Sequence, residues 1–135
     1  MGVESRVTFL GYRDDVPALM AAFDVSAAPF RDEGFPGVVV ESLCAGLPVV
    51  GYRSGPVAEQ IRQYRDGLLV EPGDAVSLAA AIYCIATNDQ LRQRMSAEAR
   101  ERSRDFTFQR HLEAMRSLYL DVLHGTSPRF ATTTN

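Results

Sequence analysis

Glu33-Gly34-Phe35-Pro36-Gly37-Val38-Val39-Val40-Glu41 is followed, one apolar turn later, by Ala45-Gly46-Leu47-Pro48-Val49-Val50. Two carboxylates eight positions apart bracket a glycine- and proline-containing loop. That loop runs into an apolar helix over about residues 38–45 and then into an apolar strand. Gly46 is the expected left-handed residue that ends the helix. Pro48 suits the first position of a strand, where its missing N–H costs least. A loop opening a helix in this way offers unpaired backbone N–H groups to an anion, with the acids held at its edges.

Working outward, the remaining segments fall into alternating types. Val7-Thr8-Phe9-Leu10, closed by Gly11, reads as a buried strand. Asp14 or Asp15 caps a helix carrying Val16, Leu19, Met20 and Phe23 at helical spacing. Val25-Ser26-Ala27-Ala28, closed by Pro29, is a second strand, and Pro48-Val49-Val50-Gly51-Tyr52 a third. Ser54-Gly55-Pro56 turns into a short helix over residues 57–63. Asp66-Gly67 is a turn signal before the strand Leu68-Leu69-Val70. Asp74 caps a helix reaching about Thr87, and Asn88 or Asp89 caps another over residues 90–104. A final helix over residues 108–123 carries a stripe of Leu112, Met115, Leu118, Tyr119 and Val122. This alternation predicts an α/β fold, a parallel sheet with helices on both faces. Ligands of such sheets bind beyond the carboxyl ends of the strands, where the Glu33–Gly37 loop falls. The domain is expected over residues 1–124, with a disordered tail at 125–135.

Composition narrows the chemistry. A chain of 135 residues with 46% hydrophobic and 23% charged residues is an ordinary globular domain. A net charge of −3 argues against nucleic acid as a partner. The apolar run at residues 78–86 is far short of the ~20 needed for a membrane span, and no signal-peptide pattern opens the chain. A cytoplasmic location is therefore expected. Cys44 and Cys84 stand alone and are expected to be buried apolar thiols. His111 and His124 are too sparse for a metal site. All fourteen basic residues are arginine, so no role here calls on a lysine ammonium.

The loop suits a diphosphate. Gly34 and Gly37 remove side-chain crowding, and amides from Gly34 to Val38 supply donors backed by the helix dipole. Pro36 sets the bend in advance. A carboxylate beside phosphate would repel it, so the acids must serve other groups. Glu41, one turn into the helix, can accept hydrogen bonds from two neighbouring ribose hydroxyls. Glu33, at the mouth, can face a sugar. An acid early in a helix also stabilises the dipole by ~0.3–1 kcal/mol, so the pair taken alone decides little.

The context decides more. Glu33-Gly34-Phe35-Pro36-Gly37, Glu41, Ala45-Gly46-Leu47-Pro48-Val49-Val50, Ser54-Gly55-Pro56-Val57-Ala58-Glu59 and Gly67-Leu68-Leu69-Val70-Glu71-Pro72-Gly73-Asp74 occur in order. Together with Phe9-Leu10-Gly11-Tyr12 upstream, this series resembles the donor-binding, C-terminal half of GT-B glycosyltransferases, especially the retaining group called family four. The resemblance implies a Rossmann-like sheet and a nucleotide-diphosphate sugar as donor, with no metal or other cofactor. It implies Glu41 at the ribose, the backbone of Gly34, Phe35, Gly37 and Val38 at the diphosphate, and Glu33 as the catalytic acid facing the transferred sugar. The base would rest near Gly11, Tyr12 and Arg13. Two family strands, with a basic pair that clamps the diphosphate, precede the part matched here, as does the N-terminal lobe that supplies the acceptor site. The resemblance therefore implies that another lobe or polypeptide completes the enzyme and that these residues alone lack turnover. It also leaves peripheral membrane association open for the complete enzyme. A non-catalytic module binding a nucleotide or a partner protein is the alternative. An incomplete sheet further implies a homodimer or an aggregation-prone chain.

Overall fold

A computed structural model describes residues 2–126. Three strands, β1 (Ser26–Ala28), β2 (Val49–Tyr52) and β3 (Gly67–Val70), form one parallel sheet in the order β1-β2-β3. Among the described residues six α-helices accompany them: α1 (Val16–Met20), α2 (Gly37–Ala45), α3 (Gly55–Gln60), α4 (Ala75–Thr87), α5 (Asp89–Ser103) and α6 (Phe108–Leu123). Alternation along the strands divides the core in two. Ala28, Val49 and Leu69 pack with Val39 and Leu43 of α2, Val57 of α3 and Ala99 of α5. On the opposite face Val50 and Leu68 meet Leu78, Ile82 and Ile85 of α4 and Met95 of α5. The expected α/β, Rossmann-like arrangement with helices on both faces is what the chain adopts.

Local chemistry sets most boundaries. Gly46 ends α2 at φ 78°, a left-handed conformation that a side chain would strain. The Asp74 carboxylate accepts from the Ser77 amide at 2.9 Å and opens α4. The Asn88 side chain accepts from the Leu91 amide at 2.9 Å and opens α5. On the buried side of α2, Ser42 Oγ donates to the Val38 carbonyl at 2.7 Å and shares a 2.8 Å hydrogen bond with Ser26 Oγ, tying the helix to β1.

Three expectations are corrected. Residues 7–10 form no strand; Val7, Phe9 and Leu10 are exposed, behind a 3-10 turn at Glu4–Arg6. A strand needs a partner, and within this sheet β2 lies between β1 and β3 while residues 7–10 pair with neither outer edge. Cys44 and Cys84 are exposed rather than buried. On α2 the inward face is taken by Val39, Ser42 and Leu43, and on α4 by Ile85, which turns the cysteines outward. Helix α3 ends at Gln60, not at residue 63. The Asp66 carboxylate captures the Arg62 amide at 2.7 Å, and Ile61 is already extended. The expected tail lies, from residue 127 onward, outside the described residues.

The two sheet edges differ. The Gln63 side-chain amide accepts from Leu69 N at 2.6 Å and donates to Leu69 O at 3.4 Å, so it covers β3 as a further strand would. No strand among the described residues covers the outer edge of β1. Helix α6 buries none of its residues and exposes Leu112, Tyr119, Val122 and Leu123. An open edge and an uncovered apolar helix favour self-association. Sizing chromatography at rising concentration is expected to show growing particles; one monomeric peak throughout would contradict this.

Candidate functional site

The chain leaves β1 at the carboxyl end of the sheet, crosses residues 29–36 and enters α2. Pro36 stands at the N-cap with φ −67° and ψ 112° and offers no side-chain cap. Its carbonyl accepts from Val39 N at 3.2 Å and from the buried Gln60 Nε2 at 3.2 Å. The first-turn amides of Gly37 and Val38 are thereby left for an outside acceptor, at the positive end of the helix.

Phe35 and Glu41 flank this point. The Phe35 ring lies 6.0 Å from that of Phe106, inclined by 60°, and the Arg102 guanidinium covers Phe106 at 4.8 Å. Arg102 also donates to the Gln60 and Glu59 carbonyls at 3.2 and 2.7 Å. The loop thus rests on a platform built from the ends of α3 and α5. Glu41 is exposed, and its Oε1 would lie 3.8 Å from a Cβ placed on Gly37.

Glu41 lines two grooves. One, of about 700 Å³, lies between Phe35, Gly37 and Val40 on one side and Phe106, Phe108 and His111 on the other. The second, of about 370 Å³, lies between α1 and α2, walled by Val16, Pro17, Met20, Val40 and Cys44. The structure therefore brings Phe35, Gly37 and Glu41 together, with Val38 beside them on α2. Glu33 and Gly34 are exposed in the loop and line neither groove. Gly11, Tyr12 and Arg13 precede α1 and also line neither. Arg13 instead holds Asp15 through bonds of 2.6 and 2.5 Å, which keep that carboxyl below its ordinary range. Sequence reasoning passed over Gln60, Arg102 and Phe106, none of which has a local signal tying it to a loop far away in the chain.

With the geometry in place, comparison with known proteins is informative. The profile described as glycosyl transferases group 1 matches residues 1–102. The chain belongs to this family. Among curated relatives of this group 1 chain, the lipopolysaccharide core biosynthesis glycosyltransferase LpsE of Rhizobium meliloti is 35% identical over 123 residues, covering 91% of this chain and 35% of the relative. Among solved structures, Anabaena HepE in complex with UDP superposes with a TM-score of 0.73 at 34% identity, over 87% of this chain and 34% of that one. Sucrose-phosphate synthase of Thermosynechococcus elongatus superposes with a TM-score of 0.82 at 28% identity, over 92% of this chain and 32% of that one. The group 1 chain spans about a third of the length of these relatives. Among the described residues, no helix is long and apolar enough to cross a membrane.

Proposed function

We propose that these residues form the nucleotide-sugar-binding part of a retaining glycosyltransferase, which passes a sugar from a nucleoside diphosphate to a hydroxyl acceptor. The observation that carries this reading is the unpartnered start of α2 with the Glu41 carboxylate one turn away, on the ridge between two grooves. Family membership and the UDP complex of the HepE relative support it.

In this reading the amides of Phe35, Gly37 and Val38 hold the diphosphate, and Glu41 accepts both ribose hydroxyls. As the bond between the anomeric carbon and the phosphate oxygen breaks, negative charge grows on the departing diphosphate. Fixed amides at a helix end stabilise that charge without having to reorganise. Glu33 faces the sugar from the loop and offsets positive charge developing at the anomeric carbon. The base extends from Glu41 toward α1 and the Gly11–Arg13 turn. The acceptor side of the cleft comes from sequence beyond these residues or from another polypeptide, so the 135 residues alone bind donor without turning it over.

Titration with UDP, GDP and ADP tests the site. Removing a carboxylate that makes two hydrogen bonds in a solvent-exposed site is expected to cost about tenfold in affinity. Glu41→Ala should therefore weaken nucleoside diphosphates and leave inorganic pyrophosphate binding no weaker. Equal affinities for the parent and Glu41→Ala would remove the ribose assignment, and no nucleotide binding by the parent would remove the reading.

A further inference from the structure

Gln60 is fully buried, yet among the described residues its side chain makes a single hydrogen bond, from Nε2 to the Pro36 carbonyl at 3.2 Å. Its Oε1 has no partner among the described residues. Exchanging the two amide atoms would set oxygen against oxygen, so the donor is the atom that faces Pro36. A hydrocarbon side chain of the same length would fill this space without burying an orphan oxygen. What the amide adds is the bond to Pro36.

That bond acts on the next residue. The Pro36 carbonyl and the Gly37 N–H belong to one planar trans peptide and point in opposite directions. Holding the oxygen toward the interior fixes the N–H toward the outside, where Gly37 is exposed. Without a Cβ, Gly37 would tolerate the same peptide rotated by half a turn, with the N–H turned inward and the carbonyl presented to the anion. The glycine that admits a phosphate also admits the wrong peptide orientation; the Val39 amide, donating to the same carbonyl at 3.2 Å, favours the right one, and Gln60 adds the second bond that secures it. The Phe35–Phe106–Arg102 stack holds the preceding residue. Arg102, through the Gln60 carbonyl at 3.2 Å, holds the end of α3 from which Gln60 projects.

We infer that Gln60 is a positioning residue for diphosphate recognition: it touches no substrate and works by orienting the Gly37 amide. The inference rests on the donor-binding reading above and deepens it. It separates diphosphate binding from nucleoside binding, because Gln60 is buried beneath the loop and lines neither of the grooves beside Glu41.

The test compares UDP with uridine on the full 135-residue chain, using amide chemical shifts, alongside thermal melts. Gln60→Met and Gln60→Leu both remove the donor and the orphan acceptor, and either one that folds is sufficient. Loss of one hydrogen bond that organises a charged ligand's site is expected to lower UDP affinity about tenfold. Uridine affinity should be unchanged and the melting temperature no lower, with the Gly37 amide no longer the strongest responder to UDP. An unchanged ratio of UDP to uridine affinity in either variant would overturn the inference. So would equal losses for both ligands with earlier melting in both variants, the signature of a side chain that only supports the fold. The pair used is whichever of UDP, GDP and ADP the parent binds most tightly, with its nucleoside in place of uridine; a parent chain that prefers none of the three diphosphates over its nucleoside would instead overturn the donor-binding reading, and this inference with it.

Discussion

Gly67→Ala is expected to lower the stability of the fold by about 3 kcal/mol or more. Gly67 opens β3 and pairs with Val49 across the sheet. A Cβ there would sit 2.1 Å from the Val49 carbonyl oxygen and 2.8 Å from Ile61 Cγ2. The first obstacle is backbone of the central strand, which cannot give way without breaking the register between β2 and β3. The second is a side chain buried in the core. Overpacking usually costs about 1–3 kcal/mol, and a clash with backbone belongs at or above the top of that range. Against a typical domain stability of about 5–15 kcal/mol, such a loss is severe. Gly55→Ala is the control, because a Cβ at the start of α3 meets nothing within 4 Å. Urea unfolding followed by circular dichroism should show a collapsed midpoint for Gly67→Ala and a parental one for Gly55→Ala. Parental midpoints for both would refute the argument.

Asp66→Ala is expected to cost about 3 kcal/mol, as breaking a buried, hydrogen-bonded ion pair does. The Asp66 side chain is wholly buried and accepts from Arg62 N at 2.7 Å and Arg62 Nε at 2.5 Å. Arg62 goes on to Glu98 at 3.2 Å, so the loss would loosen α5 from the turn between α3 and β3. Asp66→Asn keeps an acceptor for the Arg62 amide and should cost much less. Burial pushes the Asp66 carboxyl above its ordinary value of 3.8, and the bonds and charge of Arg62 oppose that push without reversing it. A carboxyl raised on folding contributes stability that is fully present below 3.8 and is lost as pH rises through the folded value. Asp15 and Asp74, both lowered by hydrogen bonds, give stability that is lost as pH falls, but they are common to the parent and the Asn variant. The advantage of the parent over Asp66→Asn should therefore shrink as pH rises from acid to neutral. Urea midpoints of the pair across that range measure it, and a growing advantage would contradict the account.

How much of this was legible depended on how far apart the interacting residues lie in the chain. Gly46, Asp74 and Asn88 act within a turn of themselves, and the helix ends they mark lie where the sequence placed them. Strands β1, β2 and β3 were legible from short apolar runs between breakers. Residues 7–10 carry the same type of run, but a run becomes a strand only by pairing, and that requirement is not local. The Asp66-Gly67 turn was visible, whereas the buried ion pair that ends α3 early was not. At the site, the spacing of Gly37 and Glu41 sets them one helical turn apart, so their meeting followed from the sequence. Glu33 sits in a loop with no such periodicity, and its direction did not follow. Gln60 reaches Pro36 across 24 positions, which no local pattern announces.

Helix α5 sends Met95 into one half of the hydrophobic interior and Ala99 into the other. A single rod clasping both sides of the sheet couples their melting, because neither side can open until the clasp releases. Heat should then dismantle the two together in one cooperative step. The innermost amides of α5 should exchange with solvent as slowly as those of β2, while α6, which buries none of its residues, exchanges long before.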